Sequence, residues 1–353
     1  MKRILRFALI LALTVFFLAL FLRNSDPRSV LQLIATTNFG WLILAIGANM
    51  TALLCRSLRW RMILDPASPP RLYDTYFASA AGYMISMLLP IRAADVVRPA
   101  LLSRRTSVKF STALGTILTE RMIDLFSMLT CFLLFFATAG QQLVATLGRG
   151  KVVAIQTAAG IALAVVLSVA LFVVAIYFFN PTARKLHEVI GRILPRVLRT
   201  GWMRFFDSFV TSLRIVHHPR ALAKVVFFTA SLWMCLGLQF YLVLLAFDRP
   251  LPFMASFFVT AMAIIGLVVP TPAGVGGYHK ASQIALTSFY LFDVNTSVAV
   301  AFIFHLVGVC PVIFTGIFLV THEGLSWKSI SRLAERRETL PDDGSGIGET
   351  KEE

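Results

Sequence analysis

Leu88-Leu89-Pro90-Ile91-Arg92-Ala93-Ala94-Asp95-Val96-Val97-Arg98 interrupts an apolar stretch in the first half of the chain. Val268-Val269-Pro270-Thr271-Pro272-Ala273-Gly274-Val275-Gly276-Gly277-Tyr278-His279 interrupts another in the second half. Proline removes a backbone donor and breaks the helical ladder, and glycine frees the backbone further. Inside lipid, broken backbone survives only where protein or a water-filled cavity covers it. Pro90 and Pro270 stand about half the chain length apart. Paired breaks in two halves point to a binding site at the interface of two structural repeats.

The composition supplies the solvent for this reading. Of 353 residues, 57% are hydrophobic and 14% charged, and mean hydropathy is +0.77. Soluble domains carry about 25% charged residues, so the chain reads as an integral membrane protein. Its net charge of +15 does not imply nucleic acid, because the basic residues lie between apolar spans, where membrane topology places them. Anionic lipid is the expected electrostatic partner. Cys55, Cys131, Cys235 and Cys310 lie in or beside apolar stretches without metal-ligand spacing. They read as small buried hydrophobes.

A spanning helix needs about 20 apolar residues. Phe7–Leu22 reads as an uncleaved first span, since Arg23 follows directly and no small-residue cleavage site intervenes. Arg23–Asn38 reads as a polar connection. Gly40–Cys55 reads as a second span ended by Arg56, Arg59 and Arg61. Tyr76–Leu102 holds the first broken pair, Phe110–Ala139 a third span, Val152–Phe179 a fourth and Ala221–Phe247 a fifth. Phe253–Phe292 holds the second broken pair and Val298–Val320 a sixth span. The expected fold class is an all-α polytopic membrane protein of about six spans with two broken hairpins, arranged as an inverted repeat. The membrane domain covers 1–324, with half-repeats near 1–140 and 150–324, and 325–353 is a polar tail.

Lys2, Arg3 and Arg6 place the N-terminus in the cytoplasm, and the basic stretches 56–61, 104–109, 184–220 and 328–337 follow it there. The first broken pair then leaves on the side it entered, and the second does the same from the opposite side. Charge bias leaves open whether each pair is a re-entrant hairpin or a double crossing. The loop Asn180–Arg220 has an amphipathic character suited to a membrane surface, and Glu338–Glu353 has the composition of a disordered tail.

Ionisable residues inside these spans need an explanation, since each costs about 2.5–3.5 kcal/mol at the bilayer centre. Arg92, Asp95 and Arg98 flank the first break, and Glu120, Arg121 and Asp124 lie in the third span. Glu120 and Asp124 share a helix face, with Arg121 three residues from Asp124. Three bases against three acids permits mutual neutralisation. Arg121, with Arg92 or Arg98, is expected to line a polar cavity, where guanidinium groups would bind phosphate oxygens in pairs. At the second break, Thr271, Gly274, Gly276, Tyr278 and His279 offer amides, hydroxyls and an imidazole. A helix restarting near Gly277 would favour an anion at its N-terminus. His305, alone in the sixth span, reads as a hydrogen-bonded core residue.

These residues carry a resemblance. Arg56–Arg59–Trp60–Leu64, Pro90–Arg92–Asp95–Arg98, Glu120–Arg121–Asp124 and Pro270–Thr271–Pro272–Gly274–Gly276 together resemble the transmembrane region of lysylphosphatidylglycerol synthase, also called the flippase-like domain family. The chain departs from that pattern at two places. Ala94-Asp95 stands where the family commonly has Gly-Glu, and His279 stands where it often has Glu. The resemblance implies a bacterial or archaeal inner-membrane protein that handles phospholipids, glycolipids or polyprenyl-linked lipids.

The expectation is a lipid translocase acting on an anionic head group, with no cofactor, metal or catalytic residue. Two other readings stay open. One is an accessory subunit of a membrane glycosyltransferase that binds lipid without moving it. The other is a head-group modifying enzyme using Asp95, Glu120 or Asp124 as general base.

Overall fold

A computed structural model describes residues 2–65, 67–88, 94–148, 215, 217–268 and 271–324, with scattered positions between 150 and 168. The described residues form helices joined by turns, with no strand among them. The helices are α1 (Lys2–Leu22), α2 (Pro27–Ala35), α3 (Phe39–Leu64), α4 (Leu72–Leu88), α5 (Ala94–Arg105), α6 (Phe110–Leu147), α7 (Pro219–Ala246), α8 (Phe253–Gly266), α9 (Gly277–Tyr290) and α10 (Val294–His322). Four are long and apolar enough to cross a membrane: α3, α6 over Phe110–Thr138, α7 and α10. The region expected as the fourth span, Val152–Phe179, lies largely outside the described residues, as do 180–214 and the tail.

Local chemistry sets several helix starts. Asp26 accepts from the amides of Arg28 and Ser29, with Pro27 opening α2. The stretch expected as a polar connection is thus partly helical. Asn38 accepts from the Gly40 amide to open α3, and Asp293 accepts from Thr296 to open α10.

α3 corrects the expected end of the second span. It continues nine residues past Cys55 to Leu64. The helix carries Arg56, Arg59 and Arg61 because two of them find carboxylate partners on α6 and Arg61 donates to the Pro70 carbonyl. A paired arginine need not mark a membrane boundary.

α3 and α7 run antiparallel along the longest seam among the described helices. The Asn38 amide donates to the Ala246 carbonyl at one end, at 2.9 Å. Cys55 packs with Leu232 and Cys235 midway. Met62 and Ile63 meet Ala221 and Val225 at the other end. Around this seam the helix contacts map onto themselves when α3–α6 are exchanged with α7–α10. α4 packs on α10 as α8 packs on α6, and α5 packs on α6 as α9 packs on α10. Because the exchanged pair α3 and α7 is antiparallel, the relation inverts the long axis of the bundle.

Each broken segment is a hairpin that returns to the end it left. In the first, Arg105 at the end of α5 is bonded to Asp74 at the start of α4 and to Glu323 beyond α10, at 2.9 and 2.7 Å. In the second, Phe258 of α8 stacks near Phe289 of α9, while Gly266 meets Gly277 at the tip. Legs of 12–17 residues rise about 18–26 Å, less than the ~30 Å hydrocarbon core. The hairpins open at opposite ends of α10. The tip of the second reaches the middle of α10, where the Ala273 carbonyl accepts from His305. The described legs of both hairpins are thus shorter than the hydrocarbon core and return to the end of the bundle they left.

Two apolar cores hold the hairpins. One gathers Phe132, Phe135, Phe136, Phe258 and Phe304 around the second hairpin, with Phe135 and Phe258 stacked at 4.2 Å. The other gathers Trp60, Phe77, Met84, Val97 and Ile117 around the first. Gly316 lets α10 approach α4, since a Cβ there would sit 2.6 Å from that of Met84.

Candidate functional site

The first hairpin carries charge into the bundle. Arg98, on α5, passes through a gap left by Gly82 of α4, where an added Cβ would lie 2.4 Å from the Arg98 Cγ. Its guanidinium rests over Trp60 at 4.3 Å and Tyr83 at 5.1 Å. Such stacking stabilises a partly desolvated cation. Trp60 is fixed in turn by donating Nε1–H to the Thr116 hydroxyl at 2.9 Å.

Glu120 lies between two fully buried arginines. It accepts from Arg98 at 2.9 Å and from Arg59 at 3.2 Å. Arg59 also bonds Asp124 at 2.6 Å. Side chains from α3, α5 and α6 thus share one buried ion network. Removing one member of such a network strands its partner and costs about 3–5 kcal/mol.

A second layer is more open. Arg56 donates to the Tyr83 hydroxyl at 3.0 Å and stands 3.8 Å from Asp124. Arg98 donates to the same hydroxyl at 3.1 Å. Arg121 pairs with Asp95 across α5 and α6, and these are the most exposed members, at 43% and 36%.

Among the described residues, four arginines (56, 59, 98 and 121) face three carboxylates (95, 120 and 124). The cluster carries one surplus positive charge. Nε of Arg59 and both Nε and Nη2 of Arg98 are buried without a hydrogen-bond partner among the described residues. A surplus guanidinium with unused donors suits an oxyanion.

Of the residues singled out from sequence, Asp95, Arg98, Glu120, Arg121 and Asp124 come together here. Arg92 and Pro90 lie outside the described residues, as does Pro270. Thr271, Gly274, Gly276, Tyr278 and His279 form a separate group at the second tip, with Pro272 in the 3₁₀ turn Pro272–Gly274. No described hydrogen bond joins the two groups. α9 does begin at Gly277, but α1 covers that start: a Cβ at Gly276 would strike Phe17, and Phe21 lies 4.9 Å from the His279 ring.

Arg56, Arg59 and Tyr83 are the members that sequence reasoning missed as site residues. The available signal was the apolar run Met62-Ile63-Leu64, which carries the helix beyond the arginines. Spacing of three also puts Arg56 and Arg59 on one face.

Residues 3–316 match the family described as the lysylphosphatidylglycerol synthase TM region. The chain belongs to that family. Its membrane character thus rests both on the apolar helices and on the family match. No curated protein matches the chain. The match extends from α1 into α10, so this member of the TM-region family carries both hairpins within the shared region.

Proposed function

We propose that the protein is a lipid translocase that seats an anionic head group against the arginine cluster while the acyl tails stay in the bilayer. The observation that carries this reading is the surplus positive charge of the cluster among the described residues, with Arg121 as its most exposed guanidinium. Arg59, Glu120 and Arg98 form the fixed frame. Arg56, Tyr83 and Arg121 form the face that meets the ligand. A phosphate oxygen replaces Asp95 as the partner of Arg121, a swap that conserves the charge-assisted bond. The ligand is an anionic phospholipid, a glycolipid or a polyprenyl-phosphate-linked lipid. Two inverted hairpins then expose the cluster to alternate leaflets, as in other inverted-repeat transporters. The basic loops support a cytoplasmic C-terminal end of α10 by the positive-inside rule, and the membrane in this reading is a bacterial or archaeal inner membrane.

The test is mass spectrometry of lipids co-purified with the detergent-extracted protein and with Arg121→Gln. The expected result is selective enrichment of an anionic lipid that is lost in the variant. Transfer of a fluorescent analogue of that lipid between leaflets of proteoliposomes should fall in parallel. Equal enrichment in both proteins, or enrichment without leaflet transfer, overturns the reading.

A further inference from the structure

The second tip holds chemistry that the head-group site does not use. His279 and His305 lie with ring centroids 4.4 Å apart, and both grip the same turn. The Gly276 amide donates to His279 Nδ1 at 3.2 Å. A backbone N–H can only donate, so this Nδ1 is unprotonated and the ring proton sits on Nε2. That Nε2 is buried and has no partner among the described residues. His305 Nε2 lies 2.8 Å from the Ala273 carbonyl. A carbonyl can only accept, so here Nε2 carries the proton and Nδ1 is the open acceptor.

The turn they hold is strained. Ala273 has φ 52°, and Gly274 and Gly276 have φ 75° and 88°. A non-glycine residue in the left-handed region is unfavourable and persists when its surroundings impose it. The Thr271 hydroxyl in this turn is also buried without a partner among the described residues.

We propose that the His279–His305 pair is a proton-binding site, and that the ring holding the proton decides whether the second hairpin tip is held or released. A proton taken from water by His305 Nδ1 leaves its Nε2–H on the Ala273 carbonyl and strengthens that bond. A proton taken by His279 Nδ1 turns an acceptor into a donor facing the Gly276 N–H. That bond breaks, and the start of α9 loses its side-chain cap. Two imidazolium rings this close repel, so the pair takes one proton rather than two.

Among the described residues, the surrounding groups do not supply another partner. On α9, Tyr278 lies 4.9 Å from the His305 ring, and Lys280 donates to Gln283. On α1, Phe17 and Phe21 cover the site, and Arg23 at its end acts on Lys280. On α10 the neighbours are Phe302 and Phe304. α8 carries no titratable group. α4 also packs on the turn, but its Asp74 bonds Arg105 and its Tyr83 hydroxyl bonds Arg56 and Arg98. No carboxylate is recorded against either ring among the described residues.

The test is amide hydrogen exchange of the intact protein in detergent from pH 8 to pH 5, corrected for intrinsic rates. Protection of the segment 271–281 should fall by about tenfold as the pair is protonated, while 95–105 stays constant. His279→Asn keeps an acceptor near Nδ1 but does not titrate, and its profile should be flat or rise slightly on acidification. His305→Gln keeps the donor to Ala273 and removes the competing ring, so its loss of protection should be larger than that of the parent. A flat parent profile overturns the proposal, and so does an unchanged slope in His279→Asn or a smaller one in His305→Gln. The readout needs no lipid, so the result stands apart from the translocase assay.

Discussion

The two hairpins occupy equivalent places and are built from opposite materials. The first is tied by charge. Its mouth is closed by Arg105 with Asp74 and Glu323, and its inner part by Arg98 and Glu120. The second contains no ion pair among its described residues. It relies on stacked phenylalanines, close glycine contacts and two imidazoles. The same architecture therefore tolerates two ways of satisfying broken backbone in a bundle. One uses fixed charges, which strengthen in low dielectric. The other uses neutral groups whose hydrogen bonds reverse on protonation.

The sharpest way to break this contrast is to remove Glu120. Glu120→Ala leaves Arg98 buried without a carboxylate and Arg59 with Asp124 alone. A loss of about 3–5 kcal/mol is expected, read as a fall in thermal stability of the detergent-solubilised protein. No single ionisable residue in the second hairpin should cost as much.

Glycine substitutions give the next largest effect and test both hairpins on equal terms. Gly82→Ala puts a Cβ into the Arg98 stem, whereas Gly266→Ala puts one 2.3 Å from the Gly277 carbonyl oxygen. Each is expected to cost about 1–3 kcal/mol by overpacking. They should differ in function. Gly82→Ala displaces Arg98 and should reduce lipid co-purification. Gly266→Ala separates α8 from α9, opposes no charge and should leave co-purified lipid near the parental level.

Trp60→Phe removes the hydrogen bond to Thr116 and weakens the stacking under Arg98. A loss of about 1 kcal/mol follows from the hydrogen bond. Salt should not restore it, because the site is buried.

The smallest effect lies at the charged mouth. Hydrogen bonds from Arg105 and Tyr73 hold the Glu323 carboxyl below the usual carboxylate range. Its stabilising contribution is complete above the ordinary glutamate value of about 4.3 and is lost as pH falls through the lowered value. Exchange at the start of α4 should therefore rise under acid in the parent. In Glu323→Gln it should be raised already at neutral pH and change little on acidification. A matching acid response in that variant would remove Glu323 from the mouth's stability.

Much of the fold was legible because proline, glycine and long apolar runs act locally. Gly277 marked the restart of α9, and the spacing of Pro90 and Pro270 marked two equivalent breaks. The hairpins' return to their own side followed from Arg104, Arg105 and Lys109 under the charge rule, though leg depth did not. The site was legible in part. Asp95, Arg98, Glu120, Arg121 and Asp124 stood out because charge inside an apolar run is costly. Arg59 did not, because an arginine at the end of such a run has the signature of a boundary. Only its partners on α6, more than sixty residues away, make it an interior residue. Tyr83 gave no signal, since a tyrosine in an apolar helix is ordinary until two guanidinium groups are seen on its hydroxyl.

The antiparallel seam of α3 and α7 has a mechanical consequence. A pair lying on the axis that exchanges the halves is displaced least when one half turns against the other. Cys55 and Cys235, facing each other midway along it, therefore sit near the fulcrum. A distance probe placed on them should stay almost still while one at either mouth swings, much as the pin of a balance is quiet while its pans move.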